Sequence, residues 1–451
     1  MSELLIYQSK GEGELFIQQS AVQLASRSKP DGEKVTVTLD EKETFQEIDG
    51  FGASFTDSAA YLIHQILDEG QQAEVMTRLF DPSEGIGLSV LRNPMGASDY
   101  ARSIYSYNDR PEGETDPELE HFSIAHDEGD IIPLLHKARK LNPEVKLFAS
   151  PWSAPAWMKT SGSMKTGELK KEYYPAFAEY FARYIQAYKD KGLDIYAVTP
   201  QNEPLYEPSH YPSMKMLAEA QAEFVRDHLK PAFVSHGLHT KILCYDHNWD
   251  RPDYPTTVFE QAMEQVDGVA WHWYGGKPSA QSEVFEKFPG KEVHFTEGSG
   301  GEWIPPFEQA FSNVMRTGIE ILRNHSKSFI LWNMALDEQN GPTVPGFGNS
   351  TCRGIVQVNQ QTRELVYTLD YYALAHFSKI IRPGALRIAS ESSEEAIRSV
   401  AFVNKDASKA VVLFNDSEQE ETVSLKLKGD DVIAFPMPAK SAISIQIPAS
   451  Y

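Results

Sequence analysis

The sequence predicts an α/β fold, a (β/α)8 TIM barrel with an antiparallel β-sandwich side domain formed by the N- and C-terminal segments. Three observations lead there. Eight short apolar runs recur between residues 47 and 336, with amphipathic helical patterns between most of them. Both ends of the chain instead alternate with a period near two. And 451 residues are too many for one ordinary domain unless that domain is a barrel.

Taken in order, residues 14–40 carry the first alternating runs, ELFIQQ, AVQLAS and KVTVTLD, and segment 1–45 is assigned to the sandwich. The barrel is assigned to 46–383. Its expected strands are EIDGFGASF (47–55), GLSVLRNPMG (87–96), VKLFASPWS (145–153), IYAVTPQNE (195–203), KILCYDHN (241–248), GVAWHWY (268–274), EVHFTEGS (292–299) and SFILWNMAL (328–336). Among the helices between them, 127–142 puts Ile131, Leu134, Leu135 and Ala138 on one face. The stretch 172–192 ends in lysines and Gly192, as a helix C-terminus does, and 214–237 and 307–325 read as helices too. The Gly/Pro-rich loop 337–354 follows strand eight and is expected at the active-site rim. Segment 384–451 completes the sandwich with ALRIAS, IRSVAFVN, AVVLFN, ETVSLKLK, DVIAFPMP and SAISIQIP.

The net charge of −22 argues against nucleic acid and anionic membranes as partners and favours a neutral or cationic substrate. No run approaches the roughly 18 apolar residues of a membrane span. Two cysteines, Cys244 and Cys352, make no disulfide framework and read as buried free thiols. The start, MSELLIYQSKGEGELF, shows no basic and then apolar signal pattern, so a reducing cytoplasm is the expected setting. Nothing in the sequence speaks to oligomeric state.

Barrel enzymes do their chemistry at the C-terminal strand ends. Here those ends hold Arg92 and Asp99, Trp152, Asn202 and Glu203, Tyr245 and His247, His272 to Tyr274, Glu297, and Trp332 with Asn333. Two glutamates, several aromatics and few cations make a sugar pocket, because aromatic faces stack on the C–H faces of pyranoses. Glycoside hydrolysis needs one carboxylic acid and one carboxylate. Glu203 and Glu297, at the fourth and seventh strands, are the expected pair. Asn202 is placed to donate to a sugar 2-hydroxyl, and Arg92 to hold Glu297 ionised. Glu203, with no cation beside it in sequence, is expected to keep the higher pKa. Core filling is the alternative for Trp152 and Trp332, and capping a barrel layer that for His272. Tyr245 and His247 stay open, and Asp57 is expected to cap the helix it begins.

The motifs GFGASFTDSAA, LRNPMGASDY, SPWSAPAWMK, VTPQNEP, HWY, TEG and LWNMALDEQNGP, in that order, resemble glycoside hydrolase family 30, the glucosylceramidase family. The resemblance implies a retaining mechanism through a covalent glycosyl-enzyme, with no cofactor and no metal. It implies Glu203 as acid/base and Glu297 as nucleophile. Asp99 and Trp152 would contact the non-reducing sugar, with Asn202, His272, Tyr274 and Trp332 around the ring. The expected activity is glucosylceramidase-like hydrolysis of β-glucosides; β-1,6-glucanase or β-xylosidase action is the alternative on the same barrel. A metal-dependent hydrolase would want a histidine pair after strand one, which EIDGFGASF lacks. A non-catalytic sugar-binding barrel would have lost one of the two carboxylates.

Overall fold

A computed structural model describes residues 4–10, 14–20, 35–302, 307–428 and 431–450. The run AVQLAS (21–26) lies outside the described residues. Eight parallel strands close into a barrel: Gly50–Ser54, Val90–Pro94, Lys146–Ser150, Ile195–Val198, Lys241–Asn248, Gly268–His272, Glu292–Glu297 and Ser326–Asn333. The eighth returns to the first with Ser328 opposite Gly50. The sequence GFGAS makes the first strand possible, because a Cβ on Gly52 would stand 1.6 Å from the Val90 carbonyl oxygen.

Inside the barrel, Val90, Phe148, Ala197, Leu243, Ala270 and Ile330 form an apolar layer. Below it, at the N-terminal strand ends, Lys241 and Lys327 bind Glu292 while Lys146 binds Asp49. This end is a closed ionic plug, and the chemistry is left to the opposite mouth.

Two helices differ from the periodic pattern. The expected helix at 127–142 breaks at Asp130 into Ala125–Gly129 and Ile131–Leu141. Pro133 is tolerated only in the first turn of a helix, so the break falls just before it. The stretch 214–237 becomes Ala218–Phe224, a π-helical turn Val225–Leu229, and Lys230–Ser235. Pro231 has no N–H to continue the ladder, and the wider turn absorbs the loss. Asp57 does not cap its helix either. Thr56 does, and the Asp57 carboxylate binds Arg102 and His126 instead.

The terminal segments form one continuous nine-stranded sheet that curls around its own core of Ile6, Val37, Val411, Leu425, Phe435 and Ile445. All six C-terminal strands are present, from Leu386–Ser392 to Ala442–Ile447. Leu5–Ser9, a strand the alternation did not reveal, pairs with Ala442–Ile447. One pairing is parallel, that of Val35–Glu47 with Glu421–Lys428. These two strands come from opposite ends of the chain, with the whole barrel as their connection, so no hairpin forces them antiparallel.

Candidate active site

Strand four ends at Val198, and Glu203 stands beyond it on a short loop rather than at the strand end itself. Three bonds fix the loop. Asn202 N–H donates to the Pro151 carbonyl at 2.9 Å and Glu203 N–H to the Asp246 carbonyl at 3.0 Å. The Gln201 amide donates to the Trp152 carbonyl at 2.7 Å. Glu203 is thereby held at φ +46, a left-handed conformation costing a non-glycine residue on the order of 1 kcal/mol. Glu297 ends strand seven and is buried.

Both carboxyl groups are wrapped in donors. Arg92 Nη1 donates to Glu297 Oε2 at 2.7 Å, and the Tyr274 hydroxyl to Oε1 at 2.9 Å. His272 Nδ1 lies 3.2 Å from Glu203 Oε1, and His247 Nε2 3.9 Å from the same oxygen. One oxygen of each glutamate and one His272 nitrogen lie within 4.8 Å of one another. That trio has the shape of a cation site, but Arg92 and His272 already supply positive charge there.

Behind the pair sits Asp246, which sequence reasoning passed over. Its side chain is fully buried and accepts five hydrogen bonds. Arg92, Ser150 and Thr199 donate to Oδ2 at 2.9, 2.8 and 2.6 Å, and His272 Nε2 and Thr296 to Oδ1 at 2.9 and 2.7 Å. Burial alone would push this carboxyl up, but Arg92 and His272 outweigh it and hold it well below the usual carboxylate range. The signal was the one carboxylate inside KILCYDHN. Strict alternation hid it, because Tyr245 and Asp246 take φ +73 and +64 and the register slips between Tyr245 and His247. Tyr245 therefore turns away to pack on Trp271 and Tyr254, while Asp246 points inward to Arg92 and His272 and His247 lines the cleft.

The expected order of acidities is reversed. Burial raises Glu203, but the His272 hydrogen bond and the charges of His247 and His272 bring it below its ordinary value. Burial raises Glu297, and the Glu203 and Asp246 carboxylates add to this against His272 and Arg92. Sequence spacing showed Arg92 but not that Asp246 shares its charge, nor that two imidazoles face Glu203. His272 itself would lose its proton on burial, but Glu297 and Asp246 lift it to about 9. At neutral pH an imidazolium thus faces the Glu203 carboxylate.

The other expected residues divide. The Asn202 carbonyl accepts from Arg92 at 2.8 Å, which turns its amide N–H2 outward as a donor. Asp99 lies in the cleft with Oδ1 buried and unpartnered; burial, Glu297 and Glu203 all push its carboxyl well up. Trp332 lines the cleft, whereas Trp152 stacks behind it at 4.9 Å and 19°, and Arg92 lies 4.9 Å over the Trp152 ring. Trp152 thus supports Trp332 and Arg92 and is not among the residues facing the opening. The 337–354 loop does reach the rim, where Phe347 and a half-buried Cys352 join the lining. Cys244 is fully buried.

The cleft over the two glutamates measures about 400 Å³. A larger hollow of about 920 Å³ shares Tyr274 and runs past Trp273 to Arg316 and Arg398 at the seam with the sheet. Among the described residues its one carboxylate, Glu320, is bound to Arg398 at 2.8 Å, so no pair of described acids faces it and the chemistry belongs to the smaller cleft.

A carboxyl pair across the mouth of a parallel barrel, ringed by aromatic and amide groups, defines a glycoside hydrolase. Comparison with known proteins gives the particular family. Residues 48–381 match the glycosyl hydrolase family 30 TIM-barrel domain and 384–445 the glycosyl hydrolase family 30 beta sandwich domain. The chain belongs to glycosyl hydrolase family 30 and is an O-glycosyl hydrolase. It is similar to an endo-1,6-β-D-glucanase of Aspergillus fumigatus, at 31% identity over 98% of this chain and 94% of that protein. It is also similar to the lysosomal acid glucosylceramidase of Mus musculus, at 29% over 87% and 80%. Among solved structures it resembles the endo-β1,6-glucanase BT3312, with TM-score 0.89 and 31% identity over 99% of this chain and 100% of that one.

Proposed function

We propose that the protein is a retaining glycosidase that cleaves β-1,6-linked glucan. The observation that carries the mechanism is the approach of the Glu203 and Glu297 oxygens to within 4.8 Å. Retaining enzymes hold their carboxyls about 5–5.5 Å apart, while inverting ones leave about 6.5–9.5 Å for a water. In this reading Glu297 attacks the anomeric carbon and forms a glycosyl ester. Glu203 protonates the departing oxygen. Its proton comes from the His272 pair: moving it across the 3.2 Å contact gives a neutral imidazole and a carboxylic acid. Glu203 then takes a proton from the water that cleaves the ester. The outward amide of Asn202 binds the 2-hydroxyl, a contact that tightens at the transition state.

For the substrate, the comparisons favour the glucanase alternative over the glucosylceramidase-like reading. The endo-1,6-β-glucanase relative is matched over more of both chains than the glucosylceramidase, and a solved endo-β1,6-glucanase is matched from end to end. A panel of β-1,6-gluco-oligosaccharides, aryl β-glucosides, aryl β-xylosides and micellar glucosylceramide tests this. The kcat/KM for β-1,6-glucotetraose is expected to exceed that for glucosylceramide at least about tenfold, which is about 1.4 kcal/mol of transition-state discrimination. The reverse ratio would return the glucosylceramidase reading.

A further inference from the structure

We propose that Tyr206 is the stacking platform for the sugar that leaves, and so selects a glycan leaving group over other aglycones; this rests on the β-1,6-glucan reading above. Among the described phenylalanines, tyrosines and tryptophans two are exposed, Tyr206 at 48% and Tyr274 at 39%. Both line the cleft over the glutamates. Two exposed aromatic rings, on a surface that otherwise buries such groups, mark the place where apolar sugar faces are bound.

The two rings are held differently. Tyr274 is tied by its hydroxyl to Glu297, which fixes it beside the sugar under attack. Tyr206 has its backbone N–H on the Glu203 carbonyl at 2.9 Å, so it rides on the same turn as the acid. Its ring makes only a loose tilted contact with Tyr211, 6.5 Å between centroids, and its hydroxyl makes no hydrogen bond with the described residues. A ring with so little protein contact is not there for packing. The acid must touch the glycosidic oxygen, so the departing residue lies on the Glu203 side, next to this turn. Tyr211 and Phe347, 5.5 Å apart, back the wall beyond it.

Because the turn is held by the backbone of Tyr206 and not by its ring, Tyr206→Ala leaves the Glu203 loop bonds in place. The test compares β-1,6-glucotetraose with 4-nitrophenyl β-glucoside for wild type, Tyr206→Ala and Tyr206→Trp. The ratio of the two kcat/KM values is expected to fall on the order of tenfold in Tyr206→Ala, mainly through KM of the oligosaccharide, and to recover in Tyr206→Trp. An unchanged ratio, whether both substrates suffer equally or neither does, overturns the platform while leaving the substrate reading intact. A wild type that fails on glucotetraose but cleaves the aryl glucoside overturns the substrate reading, and the platform for a sugar with it.

Discussion

Glu297→Ala is expected to end turnover on every glycoside, by a factor on the order of 10⁵ in kcat, because it removes the atom that bonds to the anomeric carbon. Glu203→Ala is expected to behave differently with different leaving groups. A 2,4-dinitrophenyl glucoside needs no protonation, so its first step survives and a burst of phenol precedes slow deglycosylation. An unactivated oligosaccharide is not cleaved at a measurable rate. Azide separates the roles by stereochemistry. In Glu203→Ala it enters the face vacated by the leaving group and gives a β-azide. In Glu297→Ala it replaces the nucleophile and gives the α-azide. Swapped anomers would exchange the two assignments.

The second large effect concerns Asp246, which touches no substrate and acts through the groups it holds. Asp246→Asn keeps the shape but removes the charge that two buried cations share. Leaving a buried ion pair without one partner typically costs about 3–5 kcal/mol. The pH dependence has a definite sign. Asp246 is depressed in the folded protein from its ordinary 3.8, so its contribution is present above that pH and is lost as pH falls further. His272 is raised to about 9, so its contribution is full below 6.5 and is lost as pH rises through about 9. The stability deficit of Asp246→Asn against wild type is therefore expected to be widest between about pH 5 and 7 and to narrow towards pH 3 and above pH 9. Thermal unfolding across that range reads it directly. The kcat/KM profile carries a signature that a purely structural role would not. Without the anion, His272 gives up its proton more easily, and the basic limb moves to lower pH. A mutant whose kcat/KM falls with an unmoved basic limb would show that Asp246 does not set the proton on the His272–Glu203 pair.

How far the sequence reveals this molecule depends on whether each feature is local. The eight barrel strands and the six C-terminal strands are short-range patterns, and periodicity finds them. Leu5–Ser9 has no such pattern of its own; its partner lies at the other end of the chain, at Ala442–Ile447. Glu203 and Glu297 stand in motifs at particular strands and are legible for that reason. Asp246 was hidden by two left-handed residues that break the alternation on which inward and outward faces are assigned. The order of acidities was misread for a related reason. The neighbours that decide it, His272 and His247 for Glu203 and Asp246 for Arg92, are brought together by barrel closure and not by sequence spacing. Trp152 shows the same limit. It stands at a strand end like Trp332, but only packing reveals which ring meets the opening.

In the proposed mechanism two carboxyls this close work by double displacement with retention. Proton NMR on the first seconds of β-1,6-glucotetraose cleavage by the wild-type protein tests it most directly, before mutarotation mixes the anomers. The newly released reducing end is expected to appear first as the β-anomer and only later to equilibrate. Initial release of the α-anomer would contradict it, since a single displacement by water inverts the centre.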